Sequence, residues 1–299
     1  MQVGFIGLGA MGLHMARNLR SAGFDVVVHN RSQAKVDAFV AEGGAAASSP
    51  ADLASQVEVV MACLPTPPVC EEVFLGDDGV IAGAPQGQLW IDFSTNGPDT
   101  AQRIAAGSAT KGCGFLDAPI SGGTVGAEAG TLAIMVGGDE ADFDRAAPLF
   151  EAVGSKARHF GAAGAGSVVK LVNNAIGAAT SVAIAEGYVA ATKYGIDPRQ
   201  MFETLQAATA SSPAHDRMIG DSVLPRDFTS RFGLDLHAKD QALAADLGRQ
   251  VGVRMLVTSL VSQVYQEAQA RGYGGLNTSA IIRPLEDLAG VEVTAQPEA

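Results

Sequence analysis

The sequence predicts an α/β domain built on a parallel sheet, followed by an all-helical domain. Three observations carry this reading. Short β-branched runs alternate with helix-like stretches as far as Pro119, a glycine-rich turn follows the first of those runs, and from Gly166 an Ala-rich helical periodicity takes over. With 299 residues, 47% hydrophobic and 17% charged, the chain can bury two separate cores and is too poor in charge to stay disordered.

Taken in order, the strand-like runs are "VGFIG" at 3–7, "FDVVVHN" at 24–30, "VEVVMACLP" at 57–65, "LWIDFS" at 89–94 and "GFLDAP" at 114–119. Their alternation with helical stretches means βαβ units. Two further runs, "GTLAIMVGG" at 130–138 and "SKARHF" at 155–160, flank a helix expected to begin near Asp139 and Glu140, and extend the sheet. The segment "FGAAGAG" at 160–166 is flexible enough for an interdomain hinge and too short for a free linker, which divides the chain at 1–163 and 164–293. In the helical half, breaks fall at "GIDP" (195–198), "SSP" (211–213), "LPRDF" (224–228) and "GYGG" (272–275), and a polar "TAQPEA" closes the chain.

Twenty basic against 32 acidic residues leave a formal net charge of −12, which repels nucleic acid and anionic membranes, and no basic patch overrides it. Cys63, Cys70 and Cys113 are odd in number and lack zinc-ligand spacing, so neither a disulfide framework nor a structural metal is expected, and a reducing cytoplasm fits. His14, His29, His159, His215 and His237 share no ligand spacing either. The N-terminus enters a strand pattern at once, without the basic and apolar regions of a signal peptide. The most apolar helical run, Ala175–Ala185, is interrupted by Thr180 and Ser181 and closed by Glu186, short of the roughly 20 residues that span a bilayer, so no membrane segment is expected.

Between the first strand and the following helix lies "GLGAMG", with Gly7, Gly9 and Gly12 in the G-x-G-x-x-G spacing and Leu8, Ala10 and Met11 between them. The spacing alone is a weak signal; its place after a strand and at the start of a helix makes it a dinucleotide site. Gly7 permits the tight turn, Gly9 lets backbone N–H groups approach a pyrophosphate, and Gly12 lets the helix pack on the strand. The helix N-terminus presents its partial positive charge to the phosphates. At the end of the second strand, "HNRS" offers neutral Asn30 where an acidic residue would bond a ribose 2′-hydroxyl, while Arg31 and Ser32 suit a 2′-phosphate. The residue types favour NADP(H), with NAD(H) use still open.

In "GAGSVVKLVNN" at 164–174 a cation, Lys170, interrupts an apolar helix. A helix starting near Gly166 puts Lys170, Asn173, Asn174, Gly177 and Ser181 on one stripe, with Val168, Val169, Leu171, Val172, Ile176 and Ala179 on the other face. No carboxylate stands at i±3 or i±4. Such a lysine either snorkels to water or is a proton donor tuned by burial, and the pattern does not choose.

Four motifs together resemble the β-hydroxyacid dehydrogenase family: "GLGAMG", "DAPISGG" at 117–123, "GAGSVVKLVNN" and "LDLHAKD" at 234–240, in family order over nearly the whole chain. The resemblance implies an α/β Rossmann domain followed by an all-α C-terminal domain. It also implies hydride transfer between a nicotinamide cofactor and a small carboxylate-bearing aldehyde or β-hydroxy acid of the glyoxylate, succinic semialdehyde, tartronate semialdehyde or methylmalonate semialdehyde type. Lys170 matches the family's catalytic lysine, which protonates the carbonyl oxygen as hydride arrives. Asn174 matches the substrate-orienting asparagine, and Ser121, Gly122 and Gly123 match the loop that holds the substrate carboxylate. Thr95 matches a residue near both nicotinamide ribose and substrate, Leu64 and Pro65 a backbone contact with the cofactor, and Lys239 a lysine that reaches it. Phe232 and Asp240 resemble active-site residues of the glyoxylate/succinic semialdehyde reductases. His215 or Arg217, in "SSPAHDRM", falls where family selectivity varies.

Imine reductases look similar in fold but generally carry another residue at the lysine position. 6-Phosphogluconate dehydrogenase usually has a histidine where Asn173 stands here. A non-catalytic dinucleotide-binding scaffold is opposed by the presence of Lys170, Asn174 and Ser121. Small residues through "AIGAATSVAIAEGYVAA" suit close helix packing, hence a homodimer or homotetramer, and suit a monomer's core equally.

Overall fold

The computed structural model describes residues 1–295, and the last four residues of the "TAQPEA" tail lie outside the described chain. The chain divides into two compact units, Met1–Leu171 and a second that begins at Val172.

The first unit runs β1 (Gln2–Ile6), α1 (Gly12–Ser21), β2 (Asp25–His29), α2 (Gln33–Ala41), β3 (Ala45–Ala46), α3 (Pro50–Gln56), β4 (Val59–Ala62), α4 (Pro67–Leu75), α5 (Val80–Gly83), β5 (Leu89–Asp92), α6 (Pro98–Thr110), β6 (Gly114–Asp117), β7 (Ile120–Ser121), α7 (Gly123–Ala129), β8 (Leu132–Gly138), α8 (Glu140–Val153) and β9 (Gly154–His159). The strands form one sheet in the order β3-β2-β1-β4-β5-β6-β8-β7, with β9 paired to β8. Pairing is parallel from β3 to β6, antiparallel where β8 meets β6 and β7, and parallel between β8 and β9.

Alternation along the strands feeds two apolar layers. Phe5, Val28, Met61 and Ile91 enter one, and Ile6, Val27, Val60, Trp90 and Phe115 the other. Every strand expected from the sequence is present. Missed were β3 and β7, whose two residues each are too few to show a period. The chain leaves β1 toward β2 and β3 on one side and returns through β4, β5 and β6 on the other. Ligands bind beyond the carboxyl ends of an open sheet at such a switch point, here bordered by Gly7 and Cys63.

Helix α9 (Ala165–Tyr194) starts in the first unit and continues into the second. There it is followed by α10 (Pro198–Gln206), α11 (Pro213–His215), a π-helical segment (Asp216–Val223), α12 (Leu234–Gln250), α13 (Leu256–Ala270), a 3-10 segment (Thr278–Ile282) and α14 (Arg283–Ala289). The core of this unit gathers Tyr188, Ile219, Leu234, Tyr265 and Ile281. The expected breaks are in place, and one more falls between α12 and α13, where Gly252 adopts φ +70° and Gly248 packs against the Val253 carbonyl. That break was hidden because its other residues are helix-compatible.

The long helix departs from expectation in two ways. Thr180 and Ser181 break the apolar run without breaking the helix, because their hydroxyls turn back onto the Ile176 and Gly177 carbonyls at 2.9 and 3.0 Å. The result is one 30-residue helix that by length and composition is long and apolar enough to cross a membrane, although within the second unit it packs Ala178, Val182, Ala185 and Tyr188 into the core. The face assignment also fails in part. Val172, Asn173 and Ile176 are exposed, while Lys170, Leu171, Asn174 and Ala175 are buried. Hydrophobicity alone misplaced the stripe, since its buried members include two polar side chains.

Candidate active site

The glycine loop is built from close approaches. Gly7 has φ +98° and a side chain there would strike the Cys63 carbonyl at 2.4 Å, and one on Gly12 would strike the Gly7 carbonyl at 2.0 Å. Gly9 differs: nothing lies within 4 Å of where its Cβ would be. The loop therefore folds against the protein at Gly7 and Gly12 and leaves Gly9 open to an approaching ligand. Leu8 is buried, whereas Ala10 is exposed and Met11 half-buried. Helix α1 has no acidic residue in its first turn and no side-chain cap, so its positive end is available to a pyrophosphate.

Asn30 braces this loop rather than pointing away from it. Its Oδ1 accepts from Leu8 N at 2.9 Å and its Nδ2 donates to the Ser32 carbonyl at 3.1 Å. Arg31 and Ser32 are exposed. Ser32 is the N-cap of α2 without using its hydroxyl to cap it, and no acidic residue occupies that first turn. Lys35, which the sequence reading passed over, is exposed there as well. Its signal was positional: it lies three residues beyond Ser32, in the first turn of the helix.

At the carboxyl ends of β4 and β5, Ser94 Oγ accepts from Leu64 N at 2.8 Å, so Leu64 meets a neighbour through its N–H. Pro65 is exposed and Thr95 half-buried. Behind them Asp92 accepts from Ser94 N at 2.9 Å and from Asn96 Nδ2 at 2.7 Å. Burial, reinforced by the nearby charge of Asp117, pushes the Asp92 carboxyl up to about 6. The loop after β7 places Ser121 half-buried before two exposed glycines, Gly122 at φ +145° and Gly123 at φ +66°. Open space surrounds Gly123 where a side chain would be, so an anion can approach its backbone N–H without meeting a side chain.

Lys170 is 9% exposed, held on the first turns of α9. Asn174 follows one helical turn later, within the second unit, and there meets α12. Its Nδ2 donates to Asp240 Oδ2 at 2.6 Å, its Oδ1 accepts from Asn173 Nδ2 at 3.0 Å, and its carbonyl accepts from Gln241 Nε2 at 3.2 Å. Lys239 Nζ lies 3.0 Å from Asp240 Oδ1. Thus Asn174, Lys239 and Asp240 form one polar cluster. Beside it Tyr265 Oη and His237 Nδ1 are 2.8 Å apart, and the Phe232 ring centre is 5.1 Å from that of His237. Burial, with the Asp240 charge added, raises the Tyr265 hydroxyl above its ordinary range. His237 and Tyr265 were missed because their partner residues lie 28 positions apart. His215 is instead a core residue: it is 1% exposed, with Nε2 2.7 Å from Tyr188 Oη and its ring against Phe202. Of the two residues named where family selectivity varies, His215 is therefore the buried one and Arg217 the exposed one.

Two family models match the chain. The NAD binding domain of 6-phosphogluconate dehydrogenase covers residues 2–161, and the NAD-binding of NADP-dependent 3-hydroxyisobutyrate dehydrogenase covers 164–285. The 2-(hydroxymethyl)glutarate dehydrogenase of Eubacterium barkeri is 35% identical over 98% of this chain and 98% of its own. The 2-hydroxy-3-oxopropionate reductase of Escherichia coli strain K12 is 33% identical over 97% of this chain and 98% of its own. A structure of Mycobacterium tuberculosis 3-hydroxyisobutyrate dehydrogenase with L-serine aligns with a TM-score of 0.85 at 34% identity, covering 95% of this chain and 98% of that one.

Proposed function

Since the chain belongs to the β-hydroxyacid dehydrogenase family, and is therefore an oxidoreductase acting between a nicotinamide dinucleotide and a small carboxylate-bearing aldehyde or β-hydroxy acid, we propose that its substrates are 2-substituted 3-hydroxypropionates and the matching 3-oxo acids. The names of the relatives given above share that unit. 2-(Hydroxymethyl)glutarate, 3-hydroxyisobutyrate and L-serine each join a CH₂OH group to a substituted carbon that carries a carboxylate, and 2-hydroxy-3-oxopropionate is the aldehyde of the same unit.

The observation that carries the reading is Lys170, a buried cation on the helix turn before Asn174. The bound nicotinamide supplies or accepts the hydride. In reduction the Lys170 ammonium donates a proton to the carbonyl oxygen, and in oxidation its neutral amine takes the alcohol proton. Asn174, its amide fixed by Asp240 and Asn173, orients the same oxygen. Ser121 Oγ and the N–H groups of Gly122 and Gly123 hold the carboxylate and so fix the reacting carbon. In the second unit Lys239, Asp240 and Phe232 are candidate contacts for cofactor and substrate, and in the first unit Thr95 is another.

Gly7, Leu8, Gly9, Ala10, Met11 and Gly12 cradle the pyrophosphate, with Leu64 and Pro65 beside it. Arg31, Ser32 and Lys35 favour NADP(H), because cations and a free hydroxyl surround the start of α2 where no acidic side chain repels a 2′-phosphate. The working form is a homodimer or homotetramer in the cytoplasm. The exposed line Ile176, Ala183, Gly187, Ala190 along α9 supports self-association, and the three cysteines form no disulfide. With a net charge of −12, neither nucleic acid nor an anionic membrane is a partner.

The test is a panel of 3-hydroxyisobutyrate, L-serine, 2-hydroxy-3-oxopropionate, glyoxylate, succinic semialdehyde and a cyclic imine with both cofactors. Aldehyde acids should exceed their methyl esters by about 10²-fold in kcat/KM, since donors built to hydrogen-bond a carboxylate gain little from an ester. Lys170→Ala should lower kcat by roughly 10²- to 10⁴-fold with little change in cofactor affinity. Equal rates for acid and ester would remove the carboxylate anchor, and imine turnover without aldehyde turnover would overturn the whole reading.

A further inference from the structure

Asp117 ends β6 and is 2% exposed, yet no step above uses it. Its Oδ1 accepts from Gly164 N at 2.7 Å, and its Oδ2 accepts from Ser167 N at 2.7 Å and Ser167 Oγ at 3.0 Å. Two of these donors are N–H groups at the start of α9 of the kind any helix must satisfy, and the third is the Ser167 hydroxyl. A helix is ordinarily capped by a residue next to it in sequence. Here the cap arrives from a strand end 47 to 50 residues earlier.

The surroundings are shaped for it. A side chain on Gly166 would strike the Met135 carbonyl at 2.2 Å, and one on Gly137 would lie 2.5 Å from Asp117 Oδ1 and 2.8 Å from Ala165 N. Gly164 turns in at φ +98° against Pro98. The first turn of α9 is therefore seated on the sheet by backbone contact, with the carboxylate as a side-chain fastening at that point. Lys170 follows Ser167 by three residues, less than one turn. In the other direction Asp117 precedes Ser121 by four, in the same strand-to-loop segment.

We propose that Asp117 is a positioning residue for proton transfer: by capping α9 from the sheet it sets the Lys170 ammonium relative to the Ser121–Gly123 loop. The assignment rests on Lys170 being the proton donor. A displacement of about 1 Å at a reacting group costs up to 10²-fold in rate, so the cap is felt in the chemical step. The cofactor loop hangs from a different strand and keeps its own contacts. Burial raises the Asp117 carboxyl while the three donors lower it, which places strong hydrogen bonds on a costly buried charge.

Single-turnover oxidation of enzyme-bound NADPH, with the aldehyde acid from the panel that is reduced fastest, tests the proposal. Rate constant and amplitude separate misplacement from misfolding, because unfolded enzyme lowers only the amplitude. Asp117→Asn presents one acceptor oxygen where two are used, and should lower the rate constant about 10- to 100-fold with NADPH dissociation within about 2-fold of wild type. Ser167→Ala removes one donor and keeps both backbone bonds, so it should lower the rate constant about 2- to 5-fold and still reports if the Asn variant does not fold. Unchanged rate constants, or a fall in amplitude alone, overturn the assignment. Lys170→Ala run beside them separates the two ideas: a slow Lys170→Ala with a normal Asp117→Asn removes only the positioning role, and a normal Lys170→Ala removes the proton donor itself.

Discussion

Asp92 shows how one buried residue ties chemistry to stability. Its carboxyl, about 6 in the folded protein against 3.8 ordinarily, binds a proton more readily folded than unfolded. Between those values the folded state holds more protons, so stability is greatest below about 4 and declines as the pH rises through 6. The decline owed to this group is roughly 3 kcal/mol. Asn96 Oδ1, buried without a partner, is available to accept from a protonated Asp92 once its amide turns over. Asp92→Asn should therefore lose that part of the pH dependence, read as the difference in urea stability between wild type and variant at pH 4.5 and pH 7. An unchanged difference would show that Asp92 stays ionised throughout. Arg31 makes a second prediction at this scale. Arg31→Ala should weaken NADPH about 10- to 100-fold more than NADH, the worth of one charge-assisted hydrogen bond, and Lys35→Ala should act in the same direction. Equal losses in fluorescence titrations with the two cofactors would remove the 2′-phosphate role.

At the level of elements, the turn from β1 into α1 separates packing from binding within six residues. Gly12→Ala drives a methyl group to 2.0 Å from the Gly7 carbonyl, so α1 must shift, costing about 1–3 kcal/mol of stability along with dinucleotide affinity. Gly9→Ala meets nothing within 4 Å, so its melting temperature should stay near wild type while NADPH affinity falls at least about 10-fold, because the methyl group occupies the ligand's space. A Gly9→Ala protein that binds NADPH normally would place the pyrophosphate elsewhere. Helix α9 carries a different lesson. Its polar residues are not decoration on an apolar rod, since Thr180 and Ser181 bond back to the helix and Lys170 and Asn174 take buried positions.

For the molecule as a whole, the open question at the surface is self-association. Gly187 lies on the exposed side of α9 with nothing within 4 Å, so a larger residue is tolerated in a single chain. Gly187→Arg should therefore keep the fold and, if copies pack along this line, shift the sedimentation coefficient from that of a dimer or tetramer toward a monomer. A variant that sediments as wild type would move the contact to another face, such as the exposed Val253, Leu256, Val257 and Leu260 around the start of α13. Within the second unit, Arg226, at φ +58°, is held by Glu286 at 2.7 and 3.0 Å. Glu286→Gln should destabilise by about 1–3 kcal/mol, visible in thermal melts, because it removes the two-pronged charged partner of the partly buried guanidinium and leaves it the more distant Glu292 at 3.6 Å.

The sequence by itself determined the strands from β1 to β9 apart from the two shortest and the glycine turn with its close approaches at Gly7 and Gly12, and it singled out Lys170, Asn174 and Ser121 as candidates. Those features are local: a period of two, a turn that needs positive φ, or a motif whose residues are neighbours in the chain. What only the tertiary structure decided involves distant partners. Asp117 reaches the start of α9 across 47 to 50 residues, Asn174 meets Asp240 across 66, and Tyr265 meets His237 across 28. Which face of α9 is buried followed the same rule, since Val172 and Ile176 are apolar and exposed while Lys170 and Asn174 are polar and buried. Burial depends on what packs opposite, and periodicity in one segment carries no record of its neighbour.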